Sequence, residues 1–156
     1  VVILLNDEVS KFWNELVATD LVATMKKQGA PEDAIAGTKE KLAMFGNSKG
    51  TALFFEDQDV IKGLQENFPL YAENFPIWSE QSTGIASVNA WTALSAELGL
   101  GANLQHYNPV IDASVAKTYD VSANWKLRGQ LNFGSIVAPA EAKEFMSDEA
   151  RFKVFK

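Results

Sequence analysis

The chain contains no cysteine and a single histidine, His106. The first absence excludes disulfides, thiolate metal sites, iron–sulfur ligation and a cysteine nucleophile together. The second leaves no set of imidazoles to hold a transition metal, and no metal site is expected. No apolar run approaches the ~18 residues of a membrane-spanning helix, and Val1 to Leu5 is too short for a signal-peptide core. A cytoplasmic protein with no membrane partner is expected. Basic residues number 14 against 20 acidic ones, a formal net charge of −6 with His106 neutral. No basic run is long enough to follow a phosphate backbone, so nucleic-acid binding is not expected. A Ser-His-Asp spacing, a His-Glu metal helix and a Gly-rich phosphate loop are also missing, which excludes most hydrolytic machinery. There are no internal repeats or low-complexity tracts.

What is present is the composition of an ordinary globular domain, 47% hydrophobic and 22% charged over 156 residues, with one core expected. Val1 to Leu5 is an unbroken aliphatic run, the pattern of a strand covered on both faces. Asn6-Asp7 then caps a helix in which Val9, Phe12, Trp13, Leu16, Val17 and Leu21 recur at three- and four-residue spacing. Gly29-Ala-Pro31 breaks it. A second helix starts at Pro31, carries a weaker stripe of Ile35, Thr38, Leu42 and Phe45, and closes at Gly46. Thr51 to Phe55 reads as a second buried strand, and Val60, Ile61 and Leu64 as the inner face of the helix after it.

Trp78 to Leu98 is the longest helical run, with Ile85, Val88, Trp91 and Leu94 along one face and small residues over much of the rest. The pattern predicts a helix buried nearly all round, which a lone chain of this size cannot arrange and a subunit interface can. Ala102 to Tyr107 reads as the third strand, Val110 to Tyr119 as a short helix and Lys126 to Phe133 as the fourth strand. Pro139 and the charged segment after it read as a surface excursion. Phe152, Val154 and Phe155 alternate with Arg151, Lys153 and Lys156, as an edge strand or extended arm does. The fold class is therefore α+β, a mostly antiparallel or mixed central sheet of about four strands flanked by helices.

The most informative stretch is Gly99-Leu-Gly-Ala-Asn-Leu-Gln-His-Tyr-Asn-Pro109, where two glycines turn the chain out of a helix into a strand with open backbone. With Phe68-Pro-Leu-Tyr-Ala-Glu-Asn-Phe-Pro-Ile-Trp-Ser79 before it and Asn124-Trp-Lys-Leu-Arg128 after it, it resembles the flavin-dependent nitroreductase family, in particular its short fungal and bacterial branch of fatty-acid-repression-mutant-like proteins. The resemblance runs collinearly from Phe12-Trp13 through Gly50-Thr-Ala-Leu-Phe-Phe-Glu-Asp57 to Ala150-Arg-Phe-Lys-Val-Phe-Lys156. It implies a dimeric nitroreductase-like fold built around the long helix, with the C-terminal tail crossing to the partner subunit. The family's upstream arginine-rich segment and a later loop that holds flavin edges have no counterpart here, so the chain is expected to be the latter part of a single nitroreductase-like domain, lacking its N-terminal helices and first flavin-phosphate-binding segment.

The resemblance also implies FMN as cofactor, NADH or NADPH as reductant and a nitroaromatic or quinone as the small aromatic electron acceptor. Flavin carries that chemistry, and no catalytic side chain is assigned. Leu104, Gln105 and His106 match the family segment beside the flavin ring, with a main-chain N–H at Gln105 directed at the reactive nitrogen. The His106 side chain is either structural or at the flavin edge. Arg151 and Lys153 match a basic pair that reaches the flavin phosphate; on spacing alone they are solubilising charges of an exposed edge. Tyr71, Phe75 and Trp78 form an aromatic cluster, too irregular for a helix, that either roofs a substrate cavity or seals a core. Lys126 and Arg128 face solvent or an anion and carry no assigned role. The rival to an enzyme is a nitroreductase-shaped regulatory or binding protein in stress or lipid signalling.

Overall fold

In a computed structural model, which describes residues 1–155, the chain forms one four-stranded sheet with helices on both faces. Strand β1 (Val2–Leu5) leads into helix α1, residues 7–27, whose middle turns, Lys11–Val17, are π-helical between α-helical Asp7–Ser10 and Ala18–Lys27. Then follow α2 (Glu32–Gly46), β2 (Gly50–Asp57), α3 (Gln58–Asn67), a 3-10 turn (Pro69–Tyr71) and α4 (Phe75–Leu98). Strand β3 (Gly101–Gln105), α5 (Asp112–Thr118), β4 (Trp125–Gly134) and the short α6 (Asp148–Arg151) complete the order. The strands lie β1-β2-β4-β3, and all three pairings are antiparallel.

Alternation of side chains along each strand gives the sheet two unlike faces. Leu4, Leu53 and Leu127 join Phe12, Trp13 and Leu42 from the first two helices in the main core. At its centre the Trp13 indole N–H donates to Thr51 Oγ1 at 2.8 Å and to Asn132 Oδ1 at 3.2 Å, one acceptor on β2 and the other on β4. The opposite face carries a smaller cluster in which Ala52, Phe54 and Leu131 meet Ala90 and Leu94 of α4. Gly99 ends α4 in the left-handed region at φ 63°, where a side chain would be strained. Gly101 keeps ordinary strand geometry, and its lack of a Cβ admits Ile136 Cγ1 instead.

Several expectations need correction. Strand β1 is an edge strand with only Leu4 buried, because an aliphatic run shows that a segment can be covered on two faces without supplying the cover. Helix α4 leaves much of its apolar surface open within this chain, the case for which a subunit interface is expected: Ser87 is its one buried residue, and Ile85, Val88 and Leu98 are each more than half exposed. Its apolar contact with the sheet within this chain is the Ala90 and Leu94 stripe. Asn6 makes no side-chain cap for α1; its Oδ1 takes a 3.3 Å hydrogen bond from Lys49 Nζ. The tail has no strand among the described residues. Arg151 sits in the helical turn α6, so it does not alternate with Lys153 on an extended segment, and Lys156 lies outside the described residues.

Two measurements check the core. Trp13→Phe removes the donor shared by Thr51 and Asn132 and should cost about 1–3 kcal/mol in urea denaturation. Burial, reinforced by Glu8, pushes the Tyr119 phenol up to about 12 from 10.0. Because the folded value lies above the unfolded one, this contribution to stability is intact below pH 10 and is lost as pH rises through 12. Tyr119→Phe should flatten that part of the alkaline stability profile.

Candidate functional site

Helix α4 crosses the sheet where β3 ends, and the gap between them is a groove of about 270 Å³. Glu80, Thr83 and Ser87 line it from the helix, Leu104, His106 and Arg128 from the sheet side. Alternation divides the expected triplet. Leu104 and His106 project toward α4, whereas Gln105 is absent from the groove and its Nε2 donates to Asn103 Oδ1. Gly129 on the neighbouring strand makes the wall flat, because a Cβ there would stand 3.3 Å from Leu104 Cδ1 and 3.6 Å from His106 Nε2. The Tyr107 amide donates to the buried Gln130 Oε1 at 2.8 Å, which fixes the chain just past His106.

Arg128 is the residue whose place the sequence did not show. The register of β2 against β4 shifts between Phe54 and Phe55, so Gly129 pairs with Phe54 and Leu127 with Phe55 while Arg128 is the extra residue. It turns to the α4 side, where Nε pairs with Glu56 Oε2 and Nη2 lies 2.6 Å from Glu80 Oε1. The partners differ in burial: side-chain exposure is 2% for Glu56, 17% for Arg128 and 58% for Glu80. Glu56 Oε1 is buried without a partner. Burial raises the Asp112 carboxyl above its ordinary pKa, against the opposing pull of Lys126 and Arg128.

Tyr71, Phe75 and Trp78 do come together, with ring centroids 5.9 Å apart for Tyr71–Trp78 and 5.5 Å for Phe75–Trp78. The expected irregular loop is a 3-10 turn that leads through the turn at residues 72–74 into α4, whose first turn accommodates Pro76 because the amide it lacks would be unpaired there anyway. Phe75 and Trp78 line a second, larger cavity of about 460 Å³ between β2, α3 and α4. Glu56 lines this second cavity and Arg128 the groove, so the ion pair stands between the two. Arg151 and Lys153 line neither; Arg151 pairs with Asp148 at 2.6 Å between the rings of Phe145 and Phe152.

No protein-family model matches the chain. The nitroreductase FRM2 of Saccharomyces cerevisiae is 33% identical over 147 residues, 94% of this chain and 68% of that protein. The structure of the nitroreductase CinD from Lactococcus lactis in complex with chloramphenicol is 57% identical with a TM-score of 0.87, covering 99% of this chain and 75% of that one. The chain belongs to the nitroreductase family. A crystal structure of a Saccharomyces cerevisiae nitroreductase is also similar, at 33% identity and a TM-score of 0.68, with 87% of this chain and 68% of that chain covered. This nitroreductase is thereby an oxidoreductase by type, and among its described residues no helix is long and apolar enough to cross a membrane.

The donor set of the groove suits a flavin. The guanidinium, the Asn108 amide and the imidazole offer N–H groups to ring carbonyl oxygens, and Leu104 with Gly129 offers a flat apolar wall. At about 270 Å³ the groove is smaller than the ~300–1,000 Å³ that usually buries a whole ligand, so it would take one edge of the ring and leave the rest against other walls. Removing the guanidinium tests how the site is held. Arg128→Ala leaves Glu56 buried and unpaired and should destabilise the nitroreductase by about 3–5 kcal/mol. Glu80→Ala, which breaks only the exposed arm, should cost under about 1 kcal/mol in the same denaturation experiment.

Proposed function

We propose that this nitroreductase is an FMN-dependent NAD(P)H oxidoreductase that reduces nitroaromatics or quinones and works as a homodimer. The observation that carries this reading is the groove under α4, where a flat wall and convergent N–H donors meet at the end of an edge strand in a chain 57% identical to CinD. When bound, FMN supplies hydride transfer in two half-reactions, first from NAD(P)H and then, once the nicotinamide has left, to the acceptor. Nothing in the groove has to act as an acid or base for that, in keeping with the absence of a Ser-His-Asp set.

The chain's own residues bind and orient. Leu104 and Gly129 support the ring face, and His106, Asn108 and Arg128 hold its polar edge. A main-chain N–H at Gln105 is assigned to the reactive nitrogen as a fixed dipole that stabilises negative charge without moving a proton. Because β3 has only one strand neighbour, outward main-chain groups are available for such a role. Arg151 and Lys153 are assigned to the phosphate, reached from the exposed tail of the second subunit. Tyr71, Phe75 and Trp78 give the acceptor aromatic surface next to the groove. CinD has been solved with 4-nitrophenol and with chloramphenicol, ligands of the size and aromaticity expected for acceptors here.

The dimer rests on the bare face of α4. Ile77, Ile85, Val88 and Leu98 are exposed together on one helix, a patch that a second copy would cover and that would supply the wall the groove lacks. Sedimentation should show a dimer at micromolar concentration, and Val88→Glu should give a folded monomer that retains FMN poorly. For the activity, protein mixed with FMN and freed of excess should be yellow, bleach with NADH or NADPH, and recover its absorption on adding 4-nitrophenol or a quinone. Protein that stays colourless and inert with excess FMN overturns the enzymatic reading.

A further inference from the structure

Gln130 is polar and wholly buried on β4, where a primary amide has to find partners for both of its ends. Its main chain stands opposite Gln105, the last pair of the β3–β4 ladder. The side chain carries the pairing further. Oε1 accepts from the Tyr107 amide at 2.8 Å, and Nε2 donates to Asn108 Oδ1 at 3.4 Å. These bonds run in one direction only, because a main-chain N–H cannot accept. Oε1 has to face Tyr107, Nε2 has to face Asn108, and Asn108 has to answer with its oxygen. Asn108 lines the groove, and its Nδ2 has no partner among the described residues.

We propose that Gln130 is a positioning residue of the flavin site, one that fixes the Asn108 amide with its N–H end free for a ring carbonyl oxygen. The inference rests on the FMN reading above. An asparagine of free orientation offers a ring oxygen an N–H in one orientation and a repelling oxygen in the other, and a relay anchored on a main-chain amide removes the second. Gln130 does not line the groove; it acts through Asn108 and takes no space from the cofactor. The contact it sets up strengthens as the ring is reduced, because a hydrogen bond to a charged acceptor is roughly twice as strong as one to a neutral acceptor. Gln130 therefore favours the reduced cofactor over the oxidised one.

The experiment is a double-variant cycle read by two quantities, FMN affinity from quenching of flavin fluorescence and the midpoint potential of the bound flavin. Gln130→Met keeps the buried volume and removes the relay. It should weaken FMN about three- to tenfold and lower the potential, the reduced form losing about threefold more affinity than the oxidised form. Asn108→Ala should do the same. The two combined should fall within about twofold of Asn108→Ala alone, since one residue acts through the other. Asn108→Asp leaves the buried amide in place and puts a carboxylate oxygen where the N–H stood. It should bind FMN more weakly than Asn108→Ala, and so tests the orientation even where Gln130→Met fails to fold. Losses that multiply in the double variant overturn the proposal, as does a Gln130→Met protein that melts lower yet keeps wild-type affinity and potential. Asn108→Asp with affinity equal to or above that of Asn108→Ala also overturns it. Wild type that binds no FMN fails the functional reading and takes the proposal with it.

Discussion

The indole N–H of Trp13 is shared between a β2 hydroxyl and a β4 amide, and the geometry of the rest of the sheet follows from that contact. Asn132 Oδ1 accepts from Trp13, from Thr51 at 2.9 Å and from Ser48 at 2.6 Å, so its orientation is fixed from three sides. A slip of one residue between β2 and β4 would turn Asn132 to the other face and take its acceptor from the indole and from the Thr51 and Ser48 hydroxyls at once, a loss no apolar repacking repairs. Pinning that register has an effect on the far face. With Ala52 held opposite Leu131 and Phe54 opposite Gly129, the extra residue of β4 falls at Arg128, and its guanidinium arrives beside Glu56.

The two faces are closed by different means. Against the first helices the sheet uses large side chains, Leu4, Leu53 and Leu127 among them. Against α4 it uses Ala52 and Leu131, met by Ala90 and Leu94, so the helix approaches closely along one narrow stripe. Close approach at Ala90 and Leu94 leaves gaps on either side of the crossing, and these gaps are the groove at Leu104 and the aromatic-lined cavity at Phe75. On the α4 face a few polar groups thus stand over a thin apolar layer.

The helical periods were legible: the stripe from Val9 to Leu21 predicts α1, Ile35 to Phe45 predicts α2, and the alternation of Lys126 to Phe133 predicts β4. How little of Trp78 to Leu98 this chain covers by itself was not, because periodicity reports how much apolar surface a helix carries and says nothing of which chain covers it. The Leu104 to His106 segment stood out in the sequence, whereas its division across the sheet depends on its pairing with β4. Arg128 and Glu56 are 72 residues apart and meet only because a strand bulges. Strand bulges leave no period in a sequence, so Arg128 read as a charge without a place.

The π-helical turns at Lys11–Val17 have a consequence for how this protein tolerates changes in length. A π segment holds an additional residue in its loop of chain, so Val9 before it and Val17 after it both face the sheet although a plain α-helix would not keep them in phase. Losing one residue there would let the helix relax to ordinary geometry with its flanks still in phase, because seven residues of α-helix return to within about 20° of the same face. A deletion at these turns is therefore absorbed locally, whereas the same deletion within α-helical Ala18–Lys27 would rotate the chain beyond it by about 100° and swing the turn into α2 off the core.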